Sequence, residues 1–177
     1  MTTKTNWAID PQHSVLNFKV KHLAIANVSG VFKVFNGSVE NESEDFDNAE
    51  VSFEVDTKSI DTNHSERDKN LKSELFLNTE KFPTILFNGF IRKTNQDYNL
   101  DGELTLLGVT KKIQMNVAFG GLGKGFNKET KAGFEISGII NRKDFGLNIH
   151  ILNDAGDLVI GNEVKLHCDI ELTKQIP

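Results

Sequence analysis

Long apolar runs are missing from this 177-residue chain, and so is any excess of basic charge. No stretch approaches the roughly 18–20 apolar residues of a transmembrane helix, so stable membrane insertion is not expected. Lys plus Arg number 20 against 25 Asp plus Glu, a net charge of −5. That balance argues against nucleic acid as a partner, since such binders neutralise phosphates with a basic face, and against a polybasic membrane anchor. Cysteine occurs once, at Cys168, which rules out an intrachain disulfide and a cysteine metal site. Trp and Tyr occur once each and Pro three times, whereas Phe occurs 13 times. Phe adds apolar volume with no polar atom to satisfy, so the imbalance suits a dry interior, either core or a cavity for hydrocarbon. The start, Met1 to Asn6, lacks the apolar stretch of a secretory signal, which points to the cytoplasm, or to the periplasm if a signal has been removed. With no linker or internal repeat in view, residues 6–175 read as a single domain.

The dominant period is two. Ala49 to Asp56 alternates without a fault, with Ala49, Val51, Phe53 and Val55 on one face. The segment 163–172 sends Val164, Leu166, Cys168, Ile170 and Leu172 inward in the same way. Residues 111–119 do so through Ile113, Met115, Val117 and Phe119, and residues 98–106 through Leu100, Leu104 and Leu106. Weaker alternation marks 15–22, 31–40, 85–93 and 132–141. About eight strands result, which fit an antiparallel sheet either closed into a barrel or folded as a sandwich. Asn95–Asp97 and Gly120–Gly125 supply turns, and Asn36-Gly37 is either a hairpin or a bulge in a longer strand. Residues 62–76 break the period: cap-type residues and acids come first, then Leu71, Leu75 and Phe76 on one stripe, a short helix across an end of the sheet. The irregular stretch 143–161 holds a turn of helix or a flap.

The dry faces name a candidate cavity wall: Leu16, Phe18, Val20, Phe53, Val55, Leu104, Leu106, Met115, Val117, Phe134 and Ile136. His22 shares the register of Leu16, Phe18 and Val20 and is expected to point inward, as a satisfied core histidine or as a polar group facing a ligand. His167 falls on the wet face of its strand. The five histidines show neither HxH nor HExxH spacing, so no metal is expected. Gly120–Gly125 resembles a phosphate loop only at a glance, because Lys124 is followed by Gly125 and Phe126 rather than by Ser or Thr opening a helix. Ser14 beside His13 and Ser65 beside His64 are neighbours in sequence, which does not make a triad. No residue pattern specifies catalysis or a cofactor.

The opening from Trp7 through Asp10-Pro-Gln-His13 to His22, followed by Gly30-Val-Phe32 and Phe35-Asn-Gly37, resembles the YceI-like family. The resemblance continues through Arg67-Asp68, Phe82-Pro83, Gly102 to Lys111, Asn141-Arg-Lys-Asp-Phe-Gly146 and the closing strand. Two places differ: Phe76-Leu-Asn78 stands where the family has Phe-Phe-Asp, and Lys69 where a His often follows the Arg-Asp pair. The resemblance implies an all-β fold, an eight-stranded antiparallel lipocalin-like β-barrel with one short helix across an end. It further implies a homodimer whose apolar cavity binds and carries a long-chain isoprenoid, of polyprenyl phosphate or quinone type, or a similar lipid, without catalysis. Such a ligand has one polar end, for which His22 and Arg67 are the candidate partners, Arg67 with the alternative of merely fixing the helix together with Asp68. The competing readings are a lipid- or quinone-modifying enzyme using His22 or His13 at the barrel mouth, and a ligand-free interaction barrel.

Overall fold

Strict alternation specifies strands that are dry on one face, and a sheet with one dry face must cover it. Here the sheet covers it by curling onto itself. The computed structural model describes residues 3–151, 154–156 and 159–177. In chain order the strands are β1 (Thr5–Ile9), β2 (Val15–His22), β3 (Ala26–Phe32), β4 (Phe35–Asn41), β5 (Glu50–Asp56) and β6 (Ile60–Asp61). After the helix α1 (Ser65–Lys72) come β7 (Thr84–Thr94), β8 (Asp97–Leu106), β9 (Val109–Lys124), β10 (Thr130–Asn141) and β11 (Ile160–Lys174).

All pairings are antiparallel, and three of the barrel strands are broken in two. β1 passes into β2 through a 3-10 turn at Pro11–His13, and β5 passes into β6 through another at Thr57–Ser59. In both turns an aspartate caps: Asp10 Oδ1 accepts the Gln12 N–H at 3.1 Å, and Asp56 Oδ1 accepts the Lys58 N–H at 2.9 Å. β3 and β4 are separated at Lys33 and Val34, where the chain leaves β2 and joins β1. With each broken strand counted once, eight strands close into a barrel, β11 sealing it against both β1 and β2. The barrel reading therefore holds, and the sandwich does not.

Three local expectations change. Residues 31–40 are not one strand but the end of β3 and most of β4. Asn36-Gly37 is neither hairpin nor bulge; it lies within β4, where a Cβ on Gly37 would stand 2.5 Å from the Phe53 ring. Gly120–Lys124 is strand rather than turn: β9 runs on to Lys124, with a bulge at Gly120 as pairing steps from Phe119↔Phe134 to Gly121↔Gly133.

One end of the barrel is stopped by aromatic packing. Phe46, wholly buried, lies against Trp7 at 5.2 Å, Phe134 at 5.0 Å and Phe119 at 5.3 Å between ring centroids. The loop that brings it there is tied down by polar contacts. Trp7 Nε1 donates to Asn41 Oδ1 at 3.0 Å, and the Tyr98 hydroxyl donates to the Asp45 carbonyl at 2.8 Å. Phe46 adopts φ +62°, a conformation that disfavours a bulky residue and that packing on three rings holds in place.

Candidate functional site

Above the aromatic stop, the inward faces do not meet. They leave a cavity of about 280 Å³ whose wall presents almost no polar surface. Every apolar residue expected in the wall contributes to it: Leu16, Phe18 and Val20 from β2, Phe53 and Val55 from β5, and Leu104 and Leu106 from β8. Met115 and Val117 of β9, with Phe134 and Ile136 of β10, complete that set. The wall is thus the dry face of the alternating strands, as period two dictates.

The two polar candidates are elsewhere. His22 is exposed and is not part of the cavity wall, so the inward expectation fails. Its register is sound, but β2 outlasts the barrel: His22 pairs with Ala26 and Ile160 in a hairpin that projects beyond the last inward residue, Val20. Arg67 also lies outside the wall. Its Nε donates to Thr62 Oγ1 and an Nη to the Thr62 carbonyl, each at 2.7 Å. The same threonine donates from its backbone N–H and its hydroxyl to Asp68 Oδ1, at 2.8 and 2.5 Å. Arg67 and Asp68 therefore clamp Thr62, the residue after β6, and dock α1 on the barrel.

The docked segment caps the cavity. His64 opens α1, its Nδ1 accepting the Arg67 N–H at 3.2 Å, and Leu71, Phe76 and Leu77 reach the cavity. Leu75, expected on the same stripe, is 74% exposed because the helix ends at Lys72 and the chain turns before it.

Sequence reading missed Arg142. It begins a 3-10 turn, Arg142–Phe145, bracketed by Asn141, whose Oδ1 accepts the Lys143 N–H at 3.0 Å, and by Gly146 at φ +81°. Arg142 is 3% exposed and lines the cavity at the α1 end. Its Nε donates to the Gly161 carbonyl at 2.9 Å, Nη1 to Leu147 at 2.6 Å and Nη2 to Ile160 at 3.4 Å. Burial alone lowers its pKa. The other ionisable group in the wall is Cys168, whose thiol burial pushes up to about 11. Among the described residues no carboxylate and no imidazole lines the cavity.

A polar cluster sits outside the barrel. Asp10 Oδ2 stands 2.8 Å from His13 Nδ1 and accepts from Lys131 Nζ at 2.9 Å, and Glu171 lies 3.5 Å from the same ammonium. Asp10, His13 and Glu171 offer atoms close enough for a metal, yet Lys131 already supplies positive charge there. Glu135, His167 and Asp169 form a second such group, all exposed.

A closed antiparallel barrel around one apolar cavity is lipocalin-like architecture. The chain belongs to the YceI-like domain family, which matches residues 7–172. A UPF0312 protein of Enterobacter sp. (strain 638), Ent638_1570, is 37% identical over 155 residues, covering 86% of this chain and 81% of the relative. Among solved structures, BcnA of Burkholderia cenocepacia superposes with a TM-score of 0.79 at 17% identity, over 92% of this chain and 98% of its own. A polyisoprenoid binding domain from Saccharophagus degradans gives 0.69 at 17% identity, over 96% and 98%. At these identities the two structures speak for the fold. No helix among the described residues is long and apolar enough to cross a membrane.

Proposed function

We propose that the protein binds a long-chain isoprenoid, or another slender lipid, in the barrel cavity and carries it between apolar environments without changing it chemically. The observation that carries this reading is the cavity itself: about 280 Å³ of space walled by Leu, Ile, Val, Phe and Met side chains. Polar ligands would lose their hydration there with nothing in return, whereas each buried methylene contributes about 0.8 kcal/mol. A barrel serving only as an interaction surface has no need to keep such a space open, since filling it would stabilise the fold.

The geometry disfavours an enzyme. General acid–base chemistry needs a titrating group within hydrogen-bond reach of the reacting atom. His22 projects past the barrel, and His13 belongs to the outer cluster with Asp10. A homodimer, as the family resemblance implies, is part of the proposal, and light scattering at twice the chain mass checks it.

Native mass spectrometry of freshly purified protein, followed by organic extraction, tests the binding. The expected result is one extractable hydrophobic molecule per chain. A stable barrel that carries none, and takes up no isoprenoid from donor vesicles, refutes the proposal.

A further inference from the structure

Arg142 is a buried cation without a counter-ion among the described residues. No carboxylate among the described residues pairs with it, and its three acceptors are neutral carbonyls of Leu147, Ile160 and Gly161. A guanidinium carries five N–H donors in a planar fork, and the three bonds formed leave two of them without an acceptor among the described residues. The bond to Ile160, at 3.4 Å, is long. Leaving a buried charge in this condition is costly unless something completes its shell.

Its position says what that would be. The cavity is stopped at the far end by Phe46, Phe119 and Phe134, so a chain-like ligand must place its polar terminus toward α1. Arg142 stands at that end, buried behind a wall that presents almost no polar surface. With no acid among the described residues of the wall, an anion there meets no like charge from them. The turn that presents Arg142 is fixed at both ends, by the Asn141 cap and by the Gly146 N–H, which donates to the Lys143 carbonyl at 3.1 Å. The fork is therefore held in place before any ligand arrives.

We propose that Arg142 is the headgroup-selecting residue of the cavity, and that it favours a long apolar chain ending in an oxyanion, a phosphate monoester or a carboxylate, over the same chain ending in a neutral group. This rests on the lipid-binding reading above and sharpens it. Charged hydrogen bonds of about 1.5–3 kcal/mol correspond to a preference of about ten- to a hundredfold.

The test presents one isoprenoid chain as the alcohol, the monophosphate and the carboxylic acid, and measures the affinity of the full-length protein for each. The expected result is a ten- to hundredfold preference for one or both oxyanions, and the two acid arms tell phosphate from carboxylate. In Arg142→Met the preference disappears while affinity for the alcohol stays within a few fold; in Arg142→Lys part of the preference survives. Equal affinity of the wild-type protein for all three overturns the inference and leaves lipid binding standing, as does a preference that persists in folded Arg142→Met. Failure of every chain to bind overturns the lipid-binding reading itself. If Arg142→Met does not fold, the wild-type series alone decides.

Discussion

Val51 of β5 points into the cavity, between Val39 on β4 and Gly89 on β7. Replacing it with Phe tests whether the cavity is real space, because the two alternatives predict opposite signs. In a packed core, added methylenes force neighbours off their rotamers and cost about 1–3 kcal/mol. In a cavity of about 280 Å³ there is room for the ring. Val to Phe adds about 50 Å³, and at about 24 cal/mol per Å³ of cavity removed the gain is about 1 kcal/mol. For a chain of this length that raises Tm by about 2–4 °C. The same ring takes space from the ligand: losing two buried methylenes at about 0.8 kcal/mol each lowers affinity about tenfold. The measurement is thermal unfolding of delipidated wild-type and Val51→Phe protein, followed by titration of each with an isoprenoid. Gain of stability with loss of binding is the expected pair. A delipidated Val51→Phe protein that is less stable than wild type, or one that binds equally well, would refute the cavity argument.

The Asp10 carboxyl is held down to about 2, first by its hydrogen bond with His13 and then by Lys131. A depressed folded-state pKa stabilises the fold above the ordinary value of 3.8 and loses that contribution as pH falls through about 2. Asp10→Asn should accordingly be less stable at neutral pH yet lose less stability on acidification across that window, and equal slopes in an acid titration would count against the cluster. Cys168, with its thiol raised to about 11 by burial, should react with maleimide far more slowly in the native protein than in denaturant, and more slowly still with lipid bound. Native labelling at the denatured rate would contradict its place in the wall. Thr62→Val removes the hydroxyl that accepts from Arg67 and donates to Asp68, leaving both half-satisfied. We expect about 1–3 kcal/mol lower stability, with faster lipid exchange because α1 is less firmly docked, and an unchanged exchange rate would show that α1 does not gate the cavity.

Period two is a local property, and the wall was legible because of it. Whether Phe53 or Met115 faces inward depends only on its neighbours in the strand, and the sheet preserves that sense along each strand. Burial is different, because it depends on where other segments end. His22 keeps the inward register of β2, but the barrel stops short of it, and nothing within residues 15–22 records that limit. Phe46 lies in an acidic loop with no alternation to mark its side chain, yet it is wholly buried, since Trp7 of β1 and the paired Phe119 and Phe134 of β9 and β10 receive it. Arg142 was hidden for the same reason. Asn141 and Gly146 signal a turn, but the carbonyls that draw the guanidinium inside come from Leu147 and from residues 160 and 161. Those last two lie where β11 shifts register, between Ile160 and Val164, a feature of pairing rather than of sequence pattern.

The energetics of the cavity bear on why a carrier would be built this way. One isoprene unit contributes about 3–4 kcal/mol when taken from water, so eight would sum to roughly 30, beyond the ~18–21 kcal/mol at which non-covalent affinities saturate. Water is therefore the wrong reference. A long isoprenoid rests in a bilayer, which is as apolar as the wall of Leu, Ile, Val and Phe that lines this barrel. Exchange between the two nearly cancels the hydrophobic contribution, and chain length drops out of the balance. On the proposed reading, what remains are the interactions that differ between bilayer and barrel: the polar terminus against Arg142, and the cost of displacing Leu71, Phe76 and Leu77 at the capped end. On the same reading, the apolar wall decides which molecules fit, while Arg142 at the α1 end decides which are retained.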